Sequence, residues 1–122
     1  MVLKIGDLEI YQMAEDIADK IWDICLGWDY YARDTVGKQL VRAADSISAN
    51  LAEGHGRYHF KDRLNFCYYA RGSLEETKSW LKKAIRRKLI SSDISEINEI
   101  IKVLPKKLNA YITSIKKAHN SA

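Results

Sequence analysis

Apolar residues recur at spacings of three and four through most of the chain, which is the period of a helix that buries one face. The first such stripe consists of Ile10, Ala14, Ile17, Ile21, Ile24 and Trp28. Three more stretches repeat the pattern, and none shows the alternation typical of a strand. The sequence therefore predicts an all-α protein with helices at about residues 8–28, 36–53, 60–89 and 94–118.

Short connections between these helices indicate an antiparallel up-down-up-down four-helix bundle, and 122 residues fit one domain. Asp7 is predicted to cap the first helix, Asp34 or Thr35 the second, and Ser92 or Asp93 the fourth, because short polar side chains accept hydrogen bonds from free backbone N–H groups. The two glycines at 54 and 56 are predicted to end the second helix in the left-handed conformation.

The predicted core is the sum of the apolar stripes. After the first helix, its members are Leu40, Ala43, Ala44, Ile47 and Leu51; then Phe60, Leu64, Cys67, Ala70, Leu74, Leu81 and Ile85; then Ile94, Ile97, Ile101, Leu104, Leu108, Tyr111 and Ile115. Gly72 interrupts the third helix, where glycine costs about 1 kcal/mol relative to alanine. We therefore expect another backbone or side chain to approach Gly72 closely.

A polar stripe runs beside the apolar one on each of the two central helices. On the second helix it consists of Arg42, Ser46, Asn50, Glu53 and Arg57, and on the third of Tyr69, Ser73, Glu76 and Trp80. If the two helices are antiparallel neighbours, Ser73 faces the Ser46 and Asn50 region. Glu76 is then predicted to pair with Arg42 or Arg57, and Glu53 with the other arginine. The alternative is a set of independent surface residues.

Charge divides the chain into two parts. Residues 1–29 carry a net charge of −5 and residues 30–122 a net charge of +9, which gives +4 in total. Such opposed surfaces can meet head to tail between subunits, or the basic one can meet nucleic acid.

The basic residues concentrate where the third helix ends. The candidate nucleic-acid-binding residues are Lys82, Lys83, Arg86, Arg87 and Lys88, with Lys106 and Lys107 on the fourth helix. Such a density of cations suits a phosphate backbone, and Trp80 and Tyr69 are predicted to lie near enough to stack on unpaired bases. The alternative is that these cations are solvated or favour the C-terminal end of the helix dipole.

Aromatic side chains outside the apolar stripes are predicted to form a subunit interface. Trp22 lies off the stripe of the first helix, and Tyr69 and Trp80 lie on the polar stripe of the third. A large exposed aromatic side chain suggests a contact with another subunit. For Trp22, the alternative is an indole folded flat over its own helix.

The remaining chemistry argues against an enzyme and against a metal or other cofactor. An acid–base site at Glu53 and Glu76 would need a closed pocket, and no nucleophile–base pair or phosphate loop accompanies them. His55 and His59 lack a third ligand of clear spacing. The two cysteines have no spacing motif, which is typical of packed thiols in a reducing, cytoplasmic protein. No apolar run approaches the ~20 residues of a membrane span, and no signal pattern is present.

The two polar stripes also carry a family resemblance. Gln39, Leu40, Arg42, Ala43, Ser46, Ile47, Asn50, Ala52, Glu53, Gly54, Gly56 and Arg57, followed by Ala70, Gly72, Ser73 and Glu76, match two consecutive motifs. They resemble those of four-helix bundle proteins first noticed as reading frames inside intervening sequences of bacterial large-subunit ribosomal RNA genes. One departure is Leu51, where isoleucine is usual in that family.

This resemblance implies a non-enzymatic bundle that assembles as a ring-like homopentamer. A related branch resembles the accessory protein of diversity-generating retroelements, whose basic surface binds a reverse transcriptase and its template RNA. The expected function is therefore an oligomeric RNA-binding protein, whose partner is a reverse transcriptase if the chain belongs to that branch, which the sequence alone does not decide. The alternative is a protein-interaction scaffold that has no nucleic-acid role.

Overall fold

The computed structural model describes residues 4–121 and contains four long helices. They are α1 (Glu9–Leu26), α2 (Lys38–His55), α3 (Phe60–Arg86) and α4 (Ser95–Ser121), and a 3₁₀ turn (Ile5–Asp7) precedes α1. No strand occurs among the described residues. The prediction of an all-α four-helix protein is confirmed.

The stretch before α2, predicted to be a connection, is helical. One helical turn (Tyr30–Ala32) leads into a π-helical segment (Arg33–Gly37), which continues directly into α2. The cap is Asp29, whose Oδ1 accepts a hydrogen bond from the Ala32 backbone N–H at 2.9 Å. The predictions of Asp34 or Thr35 as the cap are wrong, because a suitable carboxylate comes earlier and nothing after it breaks the helix.

The other helix ends divide between confirmed and corrected predictions. Asp93 accepts a hydrogen bond from the Ser95 backbone N–H at 2.9 Å, as predicted for the start of α4. Asp7 lies within the 3₁₀ turn, so Leu8 precedes α1 without a side-chain cap. At the end of α2, Gly56 has φ of −82°, so the predicted left-handed conformation is absent there. The left-handed residue is instead Lys88, with φ of 60°, just after α3.

Contacts between neighbouring helices run in opposite chain directions. Between α1 and α4, Lys20 Nζ lies 3.3 Å from a Glu96 carboxylate oxygen and Lys107 Nζ lies 3.0 Å from a Glu9 carboxylate oxygen. Between α3 and α4, Arg71 donates to Asn109 at 3.1 Å, and nearer the chain end the Phe60 and His119 rings stack 3.7 Å apart. As the residue number increases along one helix, the number of the residue it contacts on the neighbouring helix decreases, as expected for antiparallel helices.

The core fills the space between the four helices. Its largest fully buried side chains are Ile17, Ile21, Leu40, Ile47, Leu74, Thr77, Leu104 and Leu108. The buried hydroxyl of Thr77 is hydrogen-bonded within α3, because it donates to the Ser73 carbonyl oxygen at 2.8 Å. Ile85, a predicted core residue, is 48% exposed. At the end of α3 the buried residue is instead Ala84, one residue earlier on the helix.

Candidate functional site

The basic cluster at the end of α3 is exposed on the surface of the bundle. It consists of Lys82, Lys83, Arg86, Arg87 and Lys88, and all but the half-buried Lys83 are exposed. Lys83 Nζ lies 4.3 Å from the centre of the Trp80 ring, a cation–π distance. Within residues 4–121, no member of the cluster forms an ion pair. The five cations are therefore open to an external anion.

The two basic residues predicted on α4 stand apart from this cluster. The contact between Arg71 and Asn109 sets the relative level of α3 and α4. At 1.5 Å per residue, Lys106 then lies about 12 Å along the bundle axis from Lys82. Its neighbour Lys107 is engaged with Glu9. An anion bound at the cluster would therefore need to be extended, like a nucleic-acid backbone, to reach Lys106 as well.

The predicted stacking role of the aromatic residues does not fit this geometry. Trp80 is half-buried, and the Lys83 ammonium group already covers its ring. Tyr69 precedes Lys82 by thirteen residues in the same helix, which places it about 20 Å away along the axis. The basic cluster therefore offers charge to a phosphate backbone and no free aromatic platform for bases.

The two polar stripes face each other across α2 and α3, but they form only part of the predicted network. Asn50 Nδ2 donates to the Ser73 hydroxyl at 3.3 Å, so the predicted juxtaposition of these residues is confirmed. Arg57 pairs with Glu53 at 2.8 Å, and both side chains are about half exposed. Ser46 donates to the carbonyl oxygen of Arg42, one turn earlier in its own helix.

The predicted pairing of Glu76 with an arginine is absent. Glu76 and Arg42 are both exposed, and neither side chain takes part in an ion pair or a hydrogen bond within residues 4–121. Both lie on the outer surface, where water solvates each charge and a pairing contributes little free energy. This face is therefore a solvated surface of the single chain with two unmatched charges of opposite sign.

The close approach predicted at Gly72 occurs at Gly54. A Cβ atom placed on Gly54 would lie 2.8 Å from the Phe66 Cβ and 3.3 Å from the Arg63 carbonyl oxygen. The absence of a side chain there lets α2 and α3 come together at their shared turn. A Cβ atom placed on Gly72 would meet nothing within 4 Å, and Gly72 is exposed.

An apolar groove between α1 and the start of α2 was not predicted. It has a volume of about 500 Å³, and its apolar walls include Trp22, Leu26 and Val41. Arg33, Lys38 and Arg42 also line it. None of these three cations pairs with an acid in the described part of the chain. The signal that could have revealed this groove is Leu26. It follows Trp22 by one helical turn, so the two large apolar side chains lie together outside the apolar stripe of the first helix.

The three aromatic residues predicted at a subunit interface differ in exposure. Trp22 is 52% exposed in the wall of the groove, and Tyr69 is 55% exposed on α3. Tyr69 meets Phe66 edge to face, with ring centres 5.4 Å apart. Trp80 packs partly against the core. Trp22 and Tyr69 are therefore available to a neighbouring molecule, and Trp80 much less so.

An acidic patch joins α1 to α2 beside this groove. Glu15 accepts hydrogen bonds from the Tyr11 hydroxyl at 2.7 Å and the Ser48 hydroxyl at 3.1 Å. Burial, followed by repulsion from Glu15 and Asp19, raises the pKa of Asp45. These carboxylates repel one another across the α1–α2 contact, so the apolar core and the bond from Ser48 to Glu15 hold the two helices together here, while the bond from Tyr11 lies within α1.

The two cysteines are buried, and no cluster of metal-ligating side chains forms in the part of the chain that the structure describes. Burial raises the pKa of the Cys25 thiol to about 11 and also raises the pKa of Cys67, so both thiols are protonated at neutral pH. Both are free of disulfides. Across residues 4–121, no group of three or more His, Cys, Asp or Glu side chains could hold a metal ion. In the same range no helix is long and apolar enough to cross a membrane.

Comparisons with known proteins agree with this architecture. A solved structure, that of a protein of unknown function from the S23 ribosomal protein family of Bacteroides thetaiotaomicron VPI-5482, superimposes with a TM-score of 0.75 at 22% sequence identity. The match covers 91% of this chain and 99% of the other. A comparison with curated proteins finds no match. The model of the 23S rRNA-intervening sequence protein family matches residues 6–110, and the chain belongs to that family.

Proposed function

We propose that this protein is a non-enzymatic homo-oligomer, most simply a pentamer, that binds RNA through the basic cluster of α3. The observation that carries this proposal is the set of five cations at one helix end, all without an acidic partner in the described chain. Cations free of internal partners can each displace a counterion from a phosphate backbone, which drives binding without reading the bases.

Assembly would strengthen such binding. A single basic cluster offers few phosphate contacts, whereas a ring of identical subunits presents one cluster per subunit to the same RNA. Linked contacts raise overall affinity because each later contact forms at a high effective concentration. The exposed rings of Trp22 and Tyr69 support assembly, since surfaces of this kind are typical of subunit contacts.

A role without catalysis fits the carboxylates that were the best acid–base candidates. Glu53 is engaged with Arg57 on the surface, and Glu76 is exposed. Neither lines any of the main grooves on the described surface. We propose that the partner enzyme supplies any chemistry, and a reverse transcriptase acting on the bound RNA is the first candidate. Two free, buried thiols fit a reducing cytoplasm.

RNA binding can be tested with a transcript of an intervening segment of large-subunit ribosomal RNA. The affinity of wild type should fall steeply as salt rises. Arg86→Glu with Arg87→Glu should lower the affinity at least about 10-fold and reduce the salt slope by about two, because two phosphate contacts are lost. The matched control is Lys116→Glu with Lys117→Glu, an equal change in charge at exposed positions near the far end of α4.

The outcomes separate this function from its alternative. Equal loss of affinity in both double variants would mean that only the net charge of the protein matters for RNA binding. The basic cluster would then not be the binding site. Affinity that is indifferent to salt would overturn binding through phosphate contacts, and the lack of any measurable affinity would overturn RNA binding altogether. The protein-interaction scaffold then remains, and it predicts that a partner protein is retained from host extract after nuclease treatment.

A further inference from the structure

Two surfaces of the single chain expose aromatic or apolar side chains together with charges that have no partner among the described residues. The first, which we term the Gly72 face, consists of Tyr69, Gly72 and Glu76 on the outside of α3. Gly72 weakens a long helix, yet within residues 4–121 no atom outside the adjacent backbone of α3 comes within 4 Å of a Cβ placed there. Tyr69 projects beside it with more than half of its surface exposed, and Glu76 has no cationic partner within residues 4–121.

The second surface, which we term the Trp22 groove, is the hollow between α1 and the start of α2. Trp22, Leu26 and Val41 give it apolar walls, and the first two are more than half exposed. Arg33, Lys38 and Arg42 line it with positive charge that is not matched by an ion pair in the described chain. Its ligand should therefore be apolar or aromatic and should carry a carboxylate.

We propose that the Gly72 face of one copy packs into the Trp22 groove of the next copy, an inference that rests on the homo-oligomer of the proposed function. Tyr69 supplies the aromatic body that the groove would cover, and Glu76 supplies the carboxylate for its cations. Gly72 lets the neighbouring subunit come close to the α3 backbone. This contact explains a glycine that the packing of one chain leaves without a reason.

Charge favours this pairing of unlike surfaces over a pairing of like ones. A contact between two Trp22 grooves would bring together two sets of three cations, and a contact between two Gly72 faces would leave the cations of both grooves uncovered. Like charges placed across an interface disfavour association. The unlike pairing brings carboxylate to cation, and a contact between two different patches joins subunits head to tail, which closes into a ring when the rotation allows.

Two variants each disable one surface of the pair. Gly72→Gln places a bulky side chain in the gap on α3, and Leu26→Glu places a carboxylate in the apolar wall where Glu76 of the next copy would approach. Both positions are exposed in the single chain, so both variants should fold, which circular dichroism and thermal melting would verify. Overpacking or repulsion of this size should weaken subunit association about 10- to 100-fold.

Mixing the two variants gives the decisive measurement. Each variant alone should be monomeric by native mass spectrometry at a concentration where wild type is assembled. A 1:1 mixture should form heterodimers, because one intact Trp22 groove and one intact Gly72 face remain to meet, and growth should stop there. The matched control, Ala110→Gln on the exposed surface of α4, should assemble like wild type.

Each other result overturns the proposal. Variants that keep the wild-type mass would show that subunits meet elsewhere, while the homo-oligomer itself stands. Variants that remain monomeric when mixed would exclude the head-to-tail pairing. A monomeric wild type would remove the oligomer of the proposed function together with this contact. RNA affinity, measured separately on the same variants, tests the other half of the proposed function independently.

Discussion

Gly54 and Gly72 lie on neighbouring helices in opposite situations. At Gly54 the chain packs so tightly that a Cβ would fall 2.8 Å from the Phe66 Cβ, whereas a Cβ at Gly72 would meet no neighbour within 4 Å in the part of the chain that the structure describes. Gly54 lies in the last turn of α2, whereas Gly72 lies in the interior of α3, where glycine lowers the intrinsic stability of the helix. Only the first is explained by the fold of one chain. The comparison shows that the same residue type marks internal packing at one position and an open surface at the other.

The largest expected effect comes from filling the tight site. Gly54→Val should lower the free energy of unfolding by about 2–3 kcal/mol, because its side chain would force α2 away from α3 near their shared turn. Urea denaturation would measure the change. The control is Ala49→Val, an exposed position on the same helix, which reports only the poorer helix propensity of valine. Equal losses in the two variants would contradict the tight packing at Gly54.

Filling the open site should have the opposite sign. Gly72→Ala should raise the stability of the dissociated chain by about 1 kcal/mol, because alanine favours the helix and meets no neighbour within 4 Å. Thermal melting at a protein concentration below subunit association would show an increase in Tm. A lower Tm under those conditions would mean that the space beside Gly72 is already occupied within the chain.

The smallest effect belongs to the ion pair that lies near the tight glycine. Glu53→Gln removes the negative charge that pairs with Arg57 and should cost about 0.5 kcal/mol or less, since both side chains are about half exposed. Arg57 keeps its position over the Phe66 ring, 5.0 Å from the ring centre. The difference from wild type should disappear in 1 M salt, where charges are screened over about 3 Å. A loss that persists in salt would indicate a packing role for Glu53.

Much of the fold could be predicted because helical periodicity is a local signal. Spacing alone placed most of the core and the contact between Asn50 and Ser73, since both follow from the direction of neighbouring helices. The start of the second helix could not be placed in the same way. Ala32 and Val36 are buried and extend the Leu40 stripe at spacings of four, but the polar residues and the glycine around them hide so short a pattern, and the helix begins at the Asp29 cap.

The candidate surfaces were harder to predict than the fold. The basic cluster is a short stretch at the end of α3 and just beyond it, so the local sequence alone reveals it. The partners of Arg42 and Glu76 depend on side-chain reach in three dimensions, and spacing could say only that the two residues share a face. The Trp22 groove joins residues from α1 with residues before and within α2. All of these residues fall within residues 22–42, but they belong to successive helical segments, and only the packing of those segments brings them together.

The backbone conformation at Lys88 links the charge of the basic cluster to the stability of the fold. This lysine has φ of 60°, a conformation that costs a residue with a side chain roughly 1–2 kcal/mol and glycine almost nothing. A glycine would therefore end α3 with less strain and would remove a cation. Lys88 therefore places a positive charge at this turn at a cost in local stability. Lys88→Gly thus separates two quantities that usually change together, since it should make the fold more stable and the surface less attractive to phosphate.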